Sequence, residues 1–348
     1  MKALRFESVK APLTLHDVPR PTPGPDEVLV KVAGCGVCHT DISFWLEGVP
    51  TRKALPLTLG HEISGVVVEA GPQAGEWKGR EVIVPAVIPC GHCALCRGGR
   101  SNVCRSQIMP GNDIDGGFAE FVCVPSRGLC HITNKGSLKL EDLSVVADAV
   151  TTPYQAVVRS GLRQGDMAIV VGLGGVGGYC AQIASALGAK VVGLDVSESR
   201  LQNMTSHGVS LPLNPSKLDF KGLKAQIQKS ASLWGCPPDG WKIFECSGNI
   251  KGQETALGLV GPASTLLVVG FTLEKVNFRL SNLMAFDATI QGTWGCRPEL
   301  YGEALSLVTS GRVSVAPFIR HEPLSRGPEL LEAVGAHKVS ERVVLIPD

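Results

Sequence analysis

The chain has 348 residues, 44% hydrophobic and 19% charged, with a formal net charge of +1. That length exceeds the size at which one core usually stops growing, so two domains are expected of a globular protein. The near-neutral charge removes the electrostatic reason for a nucleic-acid partner, and the absence of any run of about 20 apolar residues excludes an expected membrane span.

Charges fall inside the opening Met1-Lys2-Ala3-Leu4-Arg5, so no signal peptide is expected and the chain reads as cytoplasmic. In that compartment its 12 cysteines are expected to bind metal rather than form disulfides.

To about residue 150 the chain reads as β-rich. Short apolar runs at Val28–Val32, Ser64–Val68 and Glu81–Val84 sit between Gly and Pro turns. Within this part, Cys38 and the pair His61-Glu62 are metal-ligand types, though spacing alone does not join them. Cys90, Cys93, Cys96 and Cys104 follow C-x2-C-x2-C-x7-C. Four thiolates close a tetrahedral zinc shell with no open position, so this site is expected to be structural. A ferredoxin-type cluster differs at the last gap, and disulfides conflict with the compartment.

From about residue 166 strands and helices alternate. Ala168–Val171 is an apolar strand, and Val176, Cys180, Ile183, Ala184 and Leu187 then share one helical face. Lys190–Asp195 is a second strand, Ser197 is a candidate cap for the next helix, and Trp241–Glu245 and Thr265–Val269 continue the series. This order implies a parallel sheet with helices on both faces. The last fifty or so residues are read as one helix, Glu299–Leu307, and a closing strand, Arg342–Ile346.

Gly172-Leu-Gly174-Gly175-Val176-Gly177 lies between the first strand and its helix. A bare GxGxxG is a weak signal, but here the strand–turn–helix context is present. Gly172 suits the tight turn, Gly174 the approach of a pyrophosphate to the helix N-terminus, and Gly177 close helix–strand packing. Asp195 ends the second strand, where a carboxylate binds the adenosine ribose and repels a 2′-phosphate. NAD is therefore expected rather than NADP.

The segments Gly34-Cys-Gly-Val-Cys38-His-Thr-Asp41 and Gly60-His-Glu-x-x-Gly65-x5-Gly71 resemble the zinc-containing medium-chain alcohol dehydrogenases, and the resemblance covers essentially the whole chain. It implies an α/β architecture: a GroES-like, β-rich catalytic domain over residues 1–149, a doubly wound Rossmann domain over 150–293, and a return to the catalytic domain over 294–348. It implies two Zn2+ per chain. Cys38 and His61 would bind the catalytic zinc, with Glu62 a neighbouring or exchangeable ligand. Asp148, four residues before Thr152, would be the third ligand where many members have Cys; a helix cap is the bland alternative for it. A fourth zinc position is left for the substrate oxygen. The hydroxyl of Thr40 would start a proton relay, but Ser43 stands where a histidine often ends it. His39 and Arg342 would lie near the cofactor pyrophosphate, with a solvated surface position the alternative for each, and Arg200 near the adenine ribose.

Several further segments, among them Met109–Phe118, Val145–Tyr154 and Gly240–Gly248, resemble those of family members that oxidise a cyclic acyl-CoA, and that resemblance implies such a compound as the small-molecule substrate. Arg52, Lys53, Arg279 and Arg297 are then candidates for its phosphates, with ordinary solvated charges the alternative, and Phe44, Trp45 and Trp294 for an apolar ring pocket, with core positions the alternative. The alternatives are a dehydrogenase of another alcohol or polyol, or a non-catalytic NAD(P)H-binding protein, which predicts a degraded metal set. A sheet edge near Leu266–Val269 and Thr289–Gly292 is a candidate contact for a homodimer or homotetramer.

Overall fold

The computed structural model describes residues 1–336 and 338–348. The chain divides into two units. One comprises residues 1–151, 295–310 and 315–348; the other comprises residues 152–294 and 311–314.

In the first unit, the strand Glu27–Gly36 is the organising element. It pairs antiparallel with Glu62–Ala70, Phe121–Pro125 and Arg342–Ile346, and the sheet continues outward to Glu81–Val84 and Ile319–Pro323. Its β-branched Val28, Val30 and Val32 are buried with Ile63, Val67, Val82, Val84 and Phe118. Burying these side chains is the main driving force for the unit. The register sets Glu62 and Val344 on either side of Gly36. A Cβ on Gly36 would come within 2.2 Å of Glu62 Oε2, so only glycine lets that carboxylate lie across the strand.

In the second unit, six parallel strands run in the order Leu211–Leu213, Lys190–Leu194, Met167–Val171, Lys242–Glu245, Thr265–Val268, Thr289–Gly292. This is the doubly wound order, and every residue of Met167–Val171 is buried, as a central parallel strand requires. Gly172 has a φ of +86°, and a Cβ on it would meet Ser247 Cα at 2.6 Å. A Cβ on Gly177 would meet the Gly172 carbonyl oxygen at 1.7 Å. Ser197 caps Glu198–Thr205 by accepting from the Arg200 N–H.

Three readings of the sequence need correction. The C-terminal part holds a second helix, Gly327–Gly335, and an added strand, Ile319–Pro323, parallel to Arg342–Ile346. The helix Phe220–Trp234, capped by Asp219, was not anticipated, although Leu223, Ile227 and Ala231 mark its buried face at four-residue spacing. Thr265–Val268 is no sheet edge, because it pairs on both sides; of the two segments proposed, only Thr289–Gly292 is an edge.

Candidate active site

Cys38 stands just before the helix His39–Trp45, in extended conformation. Its N–H donates to Asp41 Oδ2 at 3.0 Å, and the other oxygen of Asp41 accepts from Gly60 N–H at 3.1 Å. Asp41 Oδ1 also lies 3.3 Å from His61 Nδ1, and both side chains are buried. Asp41 thus ties the turn that carries Cys38 to the residue that follows Gly60, and it holds the imidazole from behind. A carboxylate in that place fixes the tautomer and orientation of a metal-binding histidine. The sequence reading quoted Asp41 but gave it no role. The available signal was its position three residues after Cys38, the spacing at which a side chain reaches back to a helix cap.

On its other side, His61 Nε2 lies 3.5 Å from Asp148 Oδ2 and makes no hydrogen bond of acceptable geometry among the described residues. Cys38 Sγ lies 3.9 Å from the same carboxylate oxygen and 3.7 Å from Thr40 Oγ1. Donor atoms of Cys38, His61, Glu62 and Asp148 all fall within 4.8 Å of one another. Metal–ligand bonds of about 2.0–2.3 Å place tetrahedral donors about 3.3–3.8 Å apart, so the set suits a zinc ion. Burial would push the His61 pKa down. The charge of Asp41 and the close approach of Asp148 and Cys38 outweigh it and hold the pKa well above the ordinary value. These neighbours favour the protonated ring, and a cation at Nε2 competes with that proton.

Asp148 follows the 3-10 stretch Glu141–Ala147. Val145, Val146, Ala147, Ala149 and Val150 around it are fully buried, so the carboxylate projects from a fixed apolar ledge. Glu62 is buried and held by Arg342 through two hydrogen bonds, Nε to Oε2 at 2.7 Å and Nη2 to Oε1. Burial raises the Glu62 pKa, and Arg342 opposes that rise. The Arg342 side chain is itself only 8% exposed. Its fork faces Glu62, where the sequence reading set it against the pyrophosphate. His39, in contrast, is half exposed, with Nε2 4.0 Å from Glu47.

The four cysteines of the loop also converge. Cys93 Sγ lies 3.5 Å from Cys96 Sγ and 3.7 Å from Cys104 Sγ, and Cys90 Sγ lies 3.9 Å from Cys96 Sγ. A zinc–sulfur bond of about 2.3 Å gives tetrahedral edges of about 3.8 Å, which these separations match.

In the second unit, one Asp195 oxygen faces the glycine turn and the other the N-cap of the next helix. Leu173 N–H donates to Oδ2 and Ser197 N–H to Oδ1, each at 2.8 Å. Arg200 Nη1 lies 3.8 Å from Oδ2, so the candidate adenosine-binding pair is adjacent. A Cβ on Gly174 would meet no atom within 4 Å, and the helix Gly177–Ala186 opens behind it. Open space before a helix N-terminus suits a pyrophosphate.

Other expectations shift. Phe44 and Trp45 are core residues, the alternative reading for them, and Trp45 Nε1 donates to Ala11 O at 2.6 Å. Arg52 pairs with Asp113 at 3.1 Å and Lys53 with Asp115. Arg297 donates to Gly99 O and Arg279 to Ser281 Oγ. Trp294 is 49% exposed.

Comparison with known proteins agrees with this geometry. Residues 24–134 match the alcohol dehydrogenase GroES-like domain, and residues 175–310 match the zinc-binding dehydrogenase family. An alcohol dehydrogenase of Geobacillus stearothermophilus is 30% identical over 99% of this chain and 98% of its own length. The L-galactonate-5-dehydrogenase of Escherichia coli (strain K12) is 30% identical over 86% of this chain and 85% of its own. A solved zinc-binding dehydrogenase of Sinorhizobium meliloti 1021, bound to NADP, superposes with a TM-score of 0.87 at 28% identity, covering 99% of each chain. The chain belongs to the zinc-containing medium-chain alcohol dehydrogenase family. It is an NAD-dependent oxidoreductase acting on alcohols, with a catalytic and a structural zinc.

Proposed function

We propose that this enzyme oxidises the ring alcohol of 6-hydroxycyclohex-1-ene-1-carbonyl-CoA to the 6-oxo product, with NAD+ as acceptor, in the anaerobic degradation of benzoyl-CoA. The metal chemistry rests on one observation: Cys38, His61 and Asp148 present a thiolate, an imidazole and a carboxylate to one point. The substrate rests on segments that resemble 6-hydroxycyclohex-1-ene-1-carbonyl-CoA dehydrogenase: Pro85–Gly91, Met109–Phe118, Val145–Tyr154, Gly240–Gly248, Arg279–Phe286 and Trp294-Gly-Cys296. The carbonyl formed is conjugated through the ring alkene, which favours oxidation over that of a simple alcohol.

When bound, zinc supplies a Lewis acid and NAD+ a hydride acceptor. Cys38, His61 and Asp148 hold the metal, and their two negative charges balance it. Asp41 keeps His61 Nε2 turned toward the metal position. Glu62 stays beside the ligands because Arg342 holds it. Thr40 Oγ1, next to Cys38 Sγ, would accept the proton that the alcohol gives up while passing its own hydroxyl proton on, and because Ser43 offers no terminal base that proton ends in solvent water. Gly172, Gly174, Gly175, Val176 and Gly177 receive the pyrophosphate at the N-terminus of the helix Gly177–Ala186. Asp195 and Arg200 face the adenosine ribose, and the Asp195 carboxylate favours NAD over NADP. The active form is a cytoplasmic homodimer or homotetramer, with the edge strand Thr289–Gly292 as its candidate contact.

A second reading, oxidation of a polyol or another plain alcohol, is favoured by the acidic partners of Arg52 and Lys53. Those carboxylates offset the charge that a CoA phosphate would need. An NADH absorbance assay separates the two. The acyl-CoA reading expects turnover of the cyclic thioester well above ethanol, sorbitol and L-galactonate. Turnover of any of these with none of the thioester ends it.

A further inference from the structure

Asp148 can serve as a ligand only if its backbone is held, because its φ of −144° and ψ of −55° belong to no regular element. A residue far away in sequence does the holding. Tyr301 opens the helix Tyr301–Thr309 and is 1% exposed. Its hydroxyl donates to the carbonyl oxygen of Ala147, the residue directly before Asp148. It also accepts from the Ala86 N–H at 3.2 Å. Thr151 Oγ1 donates to the same Ala147 oxygen at 3.2 Å.

We infer that Tyr301 is a positioning residue for the catalytic metal, acting through the Ala147 carbonyl to fix the backbone from which Asp148 reaches the ion. The inference rests on the reading of Asp148 as a ligand. The chemistry follows from the bonds. A buried phenol with both its donor and one acceptor site engaged is a rigid strut between two backbone segments. One segment carries Ala86, just beyond the strand Glu81–Val84, and the other carries the ligand. Without the hydroxyl, Ala147 O keeps the Thr151 bond, while Ala86 N–H loses its acceptor. Asp148 then keeps its chemistry, but the carbonyl of the residue before it loses one of its two side-chain donors among the described residues. Looser support of a ligand shows first as faster loss of metal.

The test compares wild type, Tyr301→Phe and Thr151→Val as holoenzymes challenged with a chelator. Zinc release is followed by a colorimetric dye, and the visible spectrum is recorded after cobalt exchange at the catalytic site. The structural zinc is the internal control. Tyr301→Phe is expected to lose the catalytic metal about tenfold faster, with an altered cobalt spectrum and an unchanged structural-zinc rate. Unchanged catalytic-metal release, or parallel loss of both metals with falling Tm, would show a merely structural tyrosine and overturn the inference. If Tyr301→Phe does not fold, Thr151→Val removes the other donor to the same carbonyl and must show the same selective loss; equal or no loss overturns it. Wild type with a single zinc per chain would instead bring down the ligand reading itself.

Discussion

The two candidate zinc sites of the first unit are built in opposite ways. The four-cysteine lobe is made of turns: one helical turn, Ala94–Arg97, and the 3-10 turn Ser101–Val103. Of its ligands only Cys104 is fully buried, and the lobe is closed at its base by paired backbone bonds between Ile88 and Ile108. Little apolar surface is available to hold it, so the metal must. The catalytic set hangs on core strands, a buried ledge and a buried carboxylate behind the histidine. There the chain shapes the metal position. In the lobe, the metal shapes the chain.

Mutations can break this contrast. Cys38→Ser should lower kcat/KM about a thousandfold, roughly 4 kcal/mol of transition-state stabilisation, with one zinc per chain left and Tm nearly unchanged. A large fall in Tm would mean that the metal holds this site together too. Arg342→Met leaves Glu62 charged, buried and unpaired, at a cost of about 3–5 kcal/mol in urea unfolding. Adding Glu62→Gln should restore most of it, because no charge is then left to bury. Stability unchanged in the single variant would show that Arg342 does not hold Glu62 in solution. Cys104→Ser should release only the structural zinc and lower Tm by roughly 4–8 °C, a loss of about 2 kcal/mol. Loss of both zincs would erase the distinction between the sites.

Where the chain itself sets the structure over short range, the sequence was readable. The strand–turn–helix at Gly172–Gly177, the Ser197 cap and the cysteine spacing are local devices. Their residues meet because they are near neighbours, so spacing alone carries the information. What joins the catalytic site was less visible. Arg342 meets Glu62 across 280 positions and Tyr301 meets Ala147 across 154. No periodicity encodes such contacts; they arise from the register of Glu27–Gly36 with its neighbours. Asp148 was reached through family resemblance, while Asp41 was passed over although it lies three residues from Cys38. For Phe44 and Trp45 the sequence leaves core and pocket open, because an aromatic pair reads alike in both.

The smallest effect asks how much shape the lobe keeps without its metal. Bonds from the backbone N–H groups of His92 and Cys93 bring the Cys90 thiol down to about 6, against a smaller opposing effect of burial. Cys96 is pushed up to about 12, chiefly by burial and by Cys93. A lowered thiol is charged above its pKa, so Cys90 is a thiolate at pH 7 and becomes protonated as pH falls through about 6. The donors to Cys90 lie two and three residues away, so this turn should outlast the zinc, whereas the burial that raises Cys96 depends on the whole lobe. In chelated enzyme at pH 7, alkylation mapped by mass spectrometry should therefore mark Cys90 first. Its rate should drop about tenfold per pH unit below about 6. Equal rates at all four cysteines would mean that even the local turn is shaped by the metal, and the contrast between the two sites would be sharper than the hydrogen bonds imply.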